Sequence, residues 1–326
     1  MITFIVPVWN SIEFLPQAID SILCQTVKQW RLLISDNGSD DGTREYLNKL
    51  SLQSDPRVKV FFQTENLGIF GNLNFLVEKV ETDLIQILCA DDTLSSPQSL
   101  ASILDYWNSA ENHVGAIRWG GQKLINIGIP PIVRSDFSQF YFFLFGNIMG
   151  NLSCASCRTS TLRSAGQFDE SYPYVGDFEF WSRMAQYTDI KISKLQATSV
   201  RRHPGQASNY LNKNGKMYIE RARATSYLFN RLPISKGGNS RILFKIAGNL
   251  VYNVEWRFGA LRAFLVHGNQ KLFVSLNRAS ALSSYVLPKF VVFLIMLLTL
   301  GGRFGKKFIL FSALKSAKVP FVQNPQ

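Results

Sequence analysis

The sequence predicts an α/β protein: a doubly wound, mainly parallel sheet flanked by helices, continued by a C-terminal basic and apolar helical extension. Three observations predict it. Short apolar, β-branched runs alternate with stretches whose apolar residues recur at helical spacing, and the connections are short, which is the pattern of β-α-β units. The runs end in carboxylates and amides, and open α/β sheets bind ligands outside the carboxyl ends of their strands. Charge then divides the chain. Residues 1–200 carry 15 basic and 21 acidic side chains, whereas residues 201–326 carry 20 basic and only two acidic ones, Glu220 and Glu255.

Taken in order, residues 2–8 (ITFIVPV) read as the first strand. Ser11 is the expected cap of a helix whose apolar positions are Ile12, Leu15, Ile19, Ile22 and Leu23, with Pro16 tolerated in the first turn. Residues 30–35 (WRLLIS) are the second strand, running into the polar loop 36–43, in which Asp40 or Asp41 caps a helix over 43–52. Residues 58–63 are the third strand, 65–68 a turn, and 70–80 the next helix. The stretch 85–94 (IQILCADDTL) organises the rest. It starts as a strand apolar on both faces and ends in adjacent carboxylates, Asp91 and Asp92. Two carboxylates there either receive a hard, phosphate-binding divalent cation or simply turn the chain and cap a helix. Asp36 and Asn37 at the end of the second strand likewise offer acceptors to a nucleoside, or form an Asx turn.

Several classes are excluded or disfavoured. No GxGxxG and no GxxxxGK[ST] occurs, so neither a dinucleotide site nor a P-loop is expected. Met1 leads straight into an apolar run without a basic n-region, so no secretory signal is expected. Four cysteines are too few for a disulfide scaffold, and the CxxC of Cys154 and Cys157 lacks a second ligand pair, so ordinary small residues are expected there.

The segments TFIVPVWNSIEFLPQAIDSILCQT, ISDNGSDDGT, ENLG and LCADDTL, followed by GQFDESYPYVGDFEFWSRMAQY at 166–187 and SVRRHPGQAS at 199–208, resemble glycosyltransferase family 2. The resemblance covers about residues 2–210 and implies the GT-A fold and inverting chemistry. It implies a nucleotide-sugar-binding and catalytic domain over 1–210; residues 211–326, outside it, are expected from their own composition to form a helical, membrane-associating region. The implied donor-binding residues are Pro7, Asp36, Asn37, Asn66, Asp91, Asp92, Arg202 and His203. Where many members carry Asp-Asp in the nucleoside loop, this chain has Asp36-Asn37, whose amide oxygen is expected to accept from the base. The family's DxD metal motif is degenerate here, CADD, with Cys89 at the first position. The implied ligands of Mn²⁺ or Mg²⁺ are Asp91 and Asp92, with His203, while a thiol suits softer ions. Asp177 matches the family's catalytic base, although its position equally suits a helix cap. On the acceptor side the resemblance places Glu179, which otherwise holds a neighbouring Arg, with Trp181 and Asn147. Residues 140–150 lie by default in the core.

The resemblance fades after about residue 211. Residues 218–232 and 240–266 read as helices mixing Arg and Lys with large apolar residues. Residues 290–300 are almost uncharged but span only 11 positions, too few to cross a bilayer. In-plane attachment to an anionic membrane is the expectation, with an oligomer interface or a tilted span as alternatives. The basic residues lie among apolar clusters, which disfavours nucleic acid. The implied activity is transfer of a sugar from a nucleotide-sugar, UDP-linked by preference, to a hydroxyl of a lipid-linked glycan. That implies a peripheral place on the cytoplasmic face of a bacterial inner membrane, in O-antigen or capsule synthesis. Two other classes compete: a non-catalytic GT-A-like binding scaffold, favoured by the degenerate DxD, and a nucleotidyltransferase, which would need a Gly-rich basic loop after the first strand.

Overall fold

A computed structural model describes residues 1–206, 215–235, 238–299 and 305–321. The chain divides into two compact units. The first comprises Met1–Ile127, Pro131–Ser135 and Asn147–Arg202, and the second comprises Gly128–Pro130, Asp136–Gly146 and His203–Gln326.

The first unit is built on strands β1 (Ile2–Val8), β2 (Trp30–Asp36), β3 (Val58–Phe62), β4 (Leu84–Ile87), β5 (Thr93–Leu94), β6 (Val114–Arg118), β7 (Ile132–Val133), β8 (Ala155–Arg158), β9 (Asp189–Ile192) and β10 (Thr198–Ser199). Among the described residues, eight of them form one sheet in the order β3-β2-β1-β4-β8-β6-β9-β7, and β5 pairs with β10 in a separate ribbon. β3, β2, β1 and β4 run parallel, β8 is antiparallel to both β4 and β6, and β9 is parallel to β6. β1 reads as a continuous apolar run because it is covered on both faces: Ile2, Phe4, Ile5 and Val6 have no exposed surface. Helix α1 (Leu15–Leu23) buries Leu15, Ala18, Ile19 and Ile22 at helical spacing. α2 (Thr43–Ser51), α3 (Gly68–Glu78) and α4 (Ser99–Asn108) follow their strands in the same way.

Pro7 lies inside the central strand without harm. The Ile5 carbonyl accepts from Leu88 N–H (3.0 Å) and the Val8 carbonyl from Asn37 N–H (2.8 Å), so odd residues of β1 face β4 and even residues face β2. β4 pairs with β1 only as far as Ile5, so the N–H that Pro7 lacks would face past the end of that ladder.

Several sequence expectations are corrected. Ser11 does not cap α1 with its side chain: its carbonyl accepts from Phe14 and Leu15, and its hydroxyl donates to Trp9 O. Asp41 accepts from Thr43 N at 3.0 Å at the start of α2, with Gly42 at φ +96° as the preceding residue. α3 starts two residues earlier than the apolar spacing suggests, and β4 ends at Ile87. Asp177 is the second residue of the helix Gly176–Met184 and not its cap, which is Val175. Cys154 and Cys157 are free and buried, and Cys24 is exposed.

The second unit is helical. Residues 136–146, most of the helix Ser135–Phe145, supply its aromatic core. The Phe143 ring lies 5.2 Å from Tyr285 and 5.5 Å from Phe229, and Tyr252 O–H donates to the Phe143 carbonyl at 2.7 Å. Gly248 is required here, since a Cβ would come within 2.6 Å of Phe143 Cζ. The single helix expected over 240–266 is divided into Asn239–Gly248, a π-helical turn Asn249–Val254 and Glu255–His267. The buried amide of Asn249 donates to Lys245 O and Tyr285 O, which occupies polar groups that a widened turn places inside. The helix Lys289–Leu298 leaves Phe290, Leu297 and Leu298 exposed. Among the described residues, no helix is long and apolar enough to cross a membrane.

Candidate active site

Three strand and helix ends carry the candidate residues. At the end of β2, Asp36 is fully buried. Its Oδ1 accepts from Ser39 N at 3.1 Å, the Arg44 guanidinium lies 3.9 Å from Oδ2, and Oδ2 has no hydrogen-bond partner among the described residues. A buried carboxylate oxygen held in this way lacks a donor. Asn37 behaves differently from expectation. Its Oδ1 already accepts from Leu67 N (2.9 Å), and its Nδ2 donates to Asn66 Oδ1 (2.9 Å) and Gly68 O (3.1 Å). An amide carries both a donor and an acceptor, so Asn37 and Asn66 clasp the loops after β2 and β3 to each other. Asn37 is 3% exposed, so its oxygen is committed to this clasp and not offered to a base.

Beyond β4, Cys89, Asp91 and Asp92 place one ligand atom each within 4.8 Å of one another. The turn is closed by Asp92 N–H on Cys89 O (3.0 Å), and Cys89 N–H donates to Ser153 Oγ (2.9 Å). Asp92 has no exposed surface. Its Oδ1 accepts from Arg201 N at 2.9 Å, while Oδ2 has no hydrogen-bond partner among the described residues. Burial, with the charge of Asp91 beside it, pushes the Asp92 carboxyl up to about 6. Burial and both aspartates push the Cys89 thiol upward as well, so it stays protonated. A divalent cation fits this donor set: an orphaned buried carboxylate oxygen beside a second carboxylate is what a hard ion neutralises. The group takes Cys89 as its third member where the sequence reading has His203, which begins the second unit. The β5–β10 ribbon carries Arg201 and Arg202 back towards this turn, since Ser199 pairs with Thr93 next to Asp92.

In the first turn of the helix Gly176–Met184, Asp177 Oδ2 accepts from Asn147 Nδ2 at 2.9 Å and Oδ1 from Phe178 N at 2.7 Å. Asn147 is itself locked. Its Oδ1 accepts from Met149 N (3.1 Å) and Gly150 N (3.2 Å), and its Nδ2 also donates to Gly150 O (3.0 Å). The segment continues to Asn151, whose Oδ1 accepts from Ser153 N (2.9 Å) and lies 3.8 Å from Cys89 Sγ. Residues 147–153 therefore touch the base candidate at one end and the cation group at the other. The sequence reading has Asn147 but misses Asn151 and Ser153. The two asparagines flanking a glycine in GNIMGNLS are the signal that could have found them.

Of the acceptor-side residues, Trp181 is corrected and Glu179 takes the alternative role that the sequence offered for it. Trp181 is fully buried, edge-on to Phe168 and Phe180, and packs its helix against the core. Both oxygens of Glu179 are held by Arg183, at 2.8 Å and 2.9 Å, and Arg183 also donates to the carbonyls of Ala165 and Gln167. That fork clamps the helix to the preceding loop, which is the alternative role the sequence offered for Glu179. Residues 207–208 of the SVRRHPGQAS segment lie outside the described residues.

The Glycosyl transferase family 2 profile matches residues 3–163. The chain is 24% identical over 297 residues to an uncharacterized glycosyltransferase of Haemophilus influenzae, covering 85% of this chain and 87% of the relative. Other matches are partial: 24% identity over 217 residues, 64% of this chain and 66% of an uncharacterized glycosyltransferase of Rickettsia typhi, and 24% over 229 residues, 66% of this chain and 36% of a longer one from Rickettsia conorii. Among solved structures, S. aureus TarS 1–349 in complex with UDP-GlcNAc is similar with a TM-score of 0.59 and 15% identity, over 97% of this chain and 92% of that one. A mannosyltransferase of Pyrobaculum calidifontis in complex with GDP-Man and Mn²⁺ is similar with a TM-score of 0.50 and 15% identity, over 97% and 86%. The fold is that of these GT-A enzymes.

Proposed function

Residues 3–163 make this chain a member of glycosyltransferase family 2, and we propose that it transfers a sugar, with inversion, from a nucleotide-sugar to the hydroxyl of a glycan acceptor. The observation that carries this reading is the pairing of two unlike carboxylate sites in the first unit. One, Asp177, is held by N–H donors. The other, Asp91 with Asp92, includes a buried carboxylate oxygen with no hydrogen-bond partner among the described residues.

Asp177 accepts the proton of the acceptor hydroxyl as its oxygen bonds to the anomeric carbon and the bond to the diphosphate breaks. One base suffices, because the departing diphosphate leaves as a stabilised anion, and the site needs no second carboxylic acid of the glycosidase kind. Asp91 and Asp92 would hold Mn²⁺ or Mg²⁺, which when bound supplies neutralisation of the diphosphate charge. Asp36, whose Oδ2 lies 3.9 Å from Arg44 and has no hydrogen bond among the described residues, receives the nucleoside. Pro7, on β1 and paired with Ser35 beside Asp36, would line the nucleoside site. Arg202 continues the Arg201 segment that touches Asp92 and meets the phosphates. The Asn37–Asn66 clasp shapes this pocket without reading the base. A UDP-linked donor is favoured by the likeness to the UDP-GlcNAc-bound TarS, and GDP-Man in the second neighbour keeps other bases open.

The helical unit supports a membrane-borne acceptor. Phe258, Leu265, Val266, Phe290, Leu298 and Phe308 are exposed on helices of a region carrying 20 basic and two acidic side chains. Each Lys or Arg near an anionic leaflet contributes roughly 1 kcal/mol. In-plane attachment to the cytoplasmic leaflet would bring the enzyme to a lipid-linked acceptor of surface-polysaccharide assembly. Thermal shift with UDP, GDP and dTDP, each with Mn²⁺ or EDTA, on wild type and Asp91→Ala tests the donor half. Metal-dependent stabilisation by one nucleotide, lost in the variant, is expected. Indifference to every nucleotide would leave a binding scaffold in its place. Flotation with vesicles containing anionic lipid, against vesicles of phosphatidylcholine alone, tests the second half.

A further inference from the structure

We propose that Asn147 is the positioning residue of the transfer step: it fixes the direction in which Asp177 presents its carboxylate. The inference rests on the reading of Asp177 as the base. Which end of an amide faces a neighbour is normally an assignment, but here the backbone decides it. Met149 N–H and Gly150 N–H both point at one terminal atom of Asn147, and only the oxygen can accept them. The NH₂ end is thereby turned outward, where it meets Gly150 O at 3.0 Å and Asp177 Oδ2 at 2.9 Å. The second anchor comes from the helix that carries Asp177, through Phe178 N–H on Oδ1. Each carboxylate oxygen thus has its own donor from a different element, so the plane of the carboxylate cannot rotate without breaking one of them.

The loop that holds Asn147 is held in turn. Gly150 adopts φ +74°, and a Cβ there would lie 2.8 Å from the Arg118 guanidinium. The left-handed glycine lets the segment fold back on the Asn147 amide, and Arg118 fills the space beside it. The helix is fixed at its first residue by another close approach, since a Cβ on Gly176 would lie 2.5 Å from the Phe70 ring. Donor and acceptor therefore sit on two supports that packing leaves no room to shift. A misplacement of about 1 Å in such a constellation costs on the order of 100-fold in rate.

The test uses Asn147→Ala, Asn147→Asp, Asp177→Asn and the exchanged pair Asn147→Asp with Asp177→Asn. Nucleoside diphosphate release is followed from UDP-GlcNAc, UDP-glucose and GDP-mannose with Mn²⁺, and thermal unfolding is followed without ligand. Asn147→Ala is expected to lower kcat on the order of 100-fold with donor KM within about twofold, since it removes orientation and not donor binding. Asn147→Asp sets two carboxylates against each other and lowers the unfolding midpoint. The exchanged pair restores that midpoint, because the amide then stands on the helix and donates to a carboxylate on the loop, while activity stays absent. A midpoint that the exchange does not restore overturns the pairing whatever the donor. An Asn147→Ala enzyme that loses stability but keeps kcat makes the contact merely structural and overturns the positioning role. Full activity in Asp177→Asn, or no release from any donor by wild type, would instead count against the reading of the base, and the unfolding arm would still judge the pair.

Discussion

The two carboxylate sites of the first unit are built on opposite plans. At Asp177, each oxygen has an N–H donor: one from the helix it starts and one from Asn147. At Asp91–Asp92, two like charges lie in one turn, and Asp92 is fully buried with one oxygen lacking a hydrogen-bond partner among the described residues. The difference shows how one unit can host two chemistries. A carboxylate supplied with donors is ready to take a proton from a substrate. A carboxylate taken out of water beside another invites positive charge: burial and the charge of Asp91 push the Asp92 carboxyl up to about 6.

Four changes would break or sharpen this contrast. Removing the proposed base, as Asp177→Asn, should cost the most: a rate loss of about 10²–10⁴-fold with nucleotide affinity unchanged by calorimetry. Comparable activity in that variant would erase the distinction between the sites. Next comes the charge of Asp92. Its folded pKa is raised from 3.8 to about 6, so the folded, metal-free protein binds a proton that the unfolded chain has released. Stability from this group is therefore present below pH 3.8 and lost as pH rises through about 6, by roughly 3 kcal/mol in all. Asp92→Asn should unfold in urea, with EDTA, at a higher concentration than wild type at pH 7.5, and should lose the stabilisation by Mn²⁺. Equal midpoints at pH 5 and pH 7.5 in both proteins would show that Asp92 is not burdened in this way.

Gly150→Ala acts on the segment that touches both sites. The left-handed backbone and the Arg118 contact should cost about 1–2 kcal/mol, with a fall in kcat as Asn147 shifts. Unaltered unfolding and turnover would mean the segment is looser than its hydrogen bonds indicate. The smallest effect is expected at the nucleoside loop. Asn37→Asp sets an acceptor against Asn66 Oδ1 and Gly68 O, and about 1 kcal/mol of stability should go with the lost donor. If urea titration shows a gain instead, the clasp is not what joins the two loops.

The sheet was legible because its strands are buried on both faces, and apolar runs such as 2–8 and 30–35 have no other soluble use. β8 was not: ASCR is four small or polar residues whose place between β4 and β6 is set by antiparallel partners far away in sequence. The carboxylates at the strand ends could be read from position alone. Their contacts could not: Asn147 was named for the acceptor side but not as the donor to Asp177, and Asn151 and Ser153 were missed, because all three reach their partners through loop geometry that leaves no period in the sequence. Trp181 and Glu179 each allowed two readings for a related reason. Proximity to Asp177 along a helix does not say which face a side chain takes, and theirs turn inward and toward Arg183.

The stretch 147–153 behaves as a common ruler. One end bears on Asp177, proposed to receive the acceptor's proton, and the other on the turn proposed to hold the donor's phosphates. Donor choice and acceptor chemistry are consequently not separable modules in this enzyme. A substitution that widens the turn at Cys89 will be felt by Asp177 through Ser153, Asn151 and Asn147, and attempts to re-engineer one substrate will have to be scored against the other.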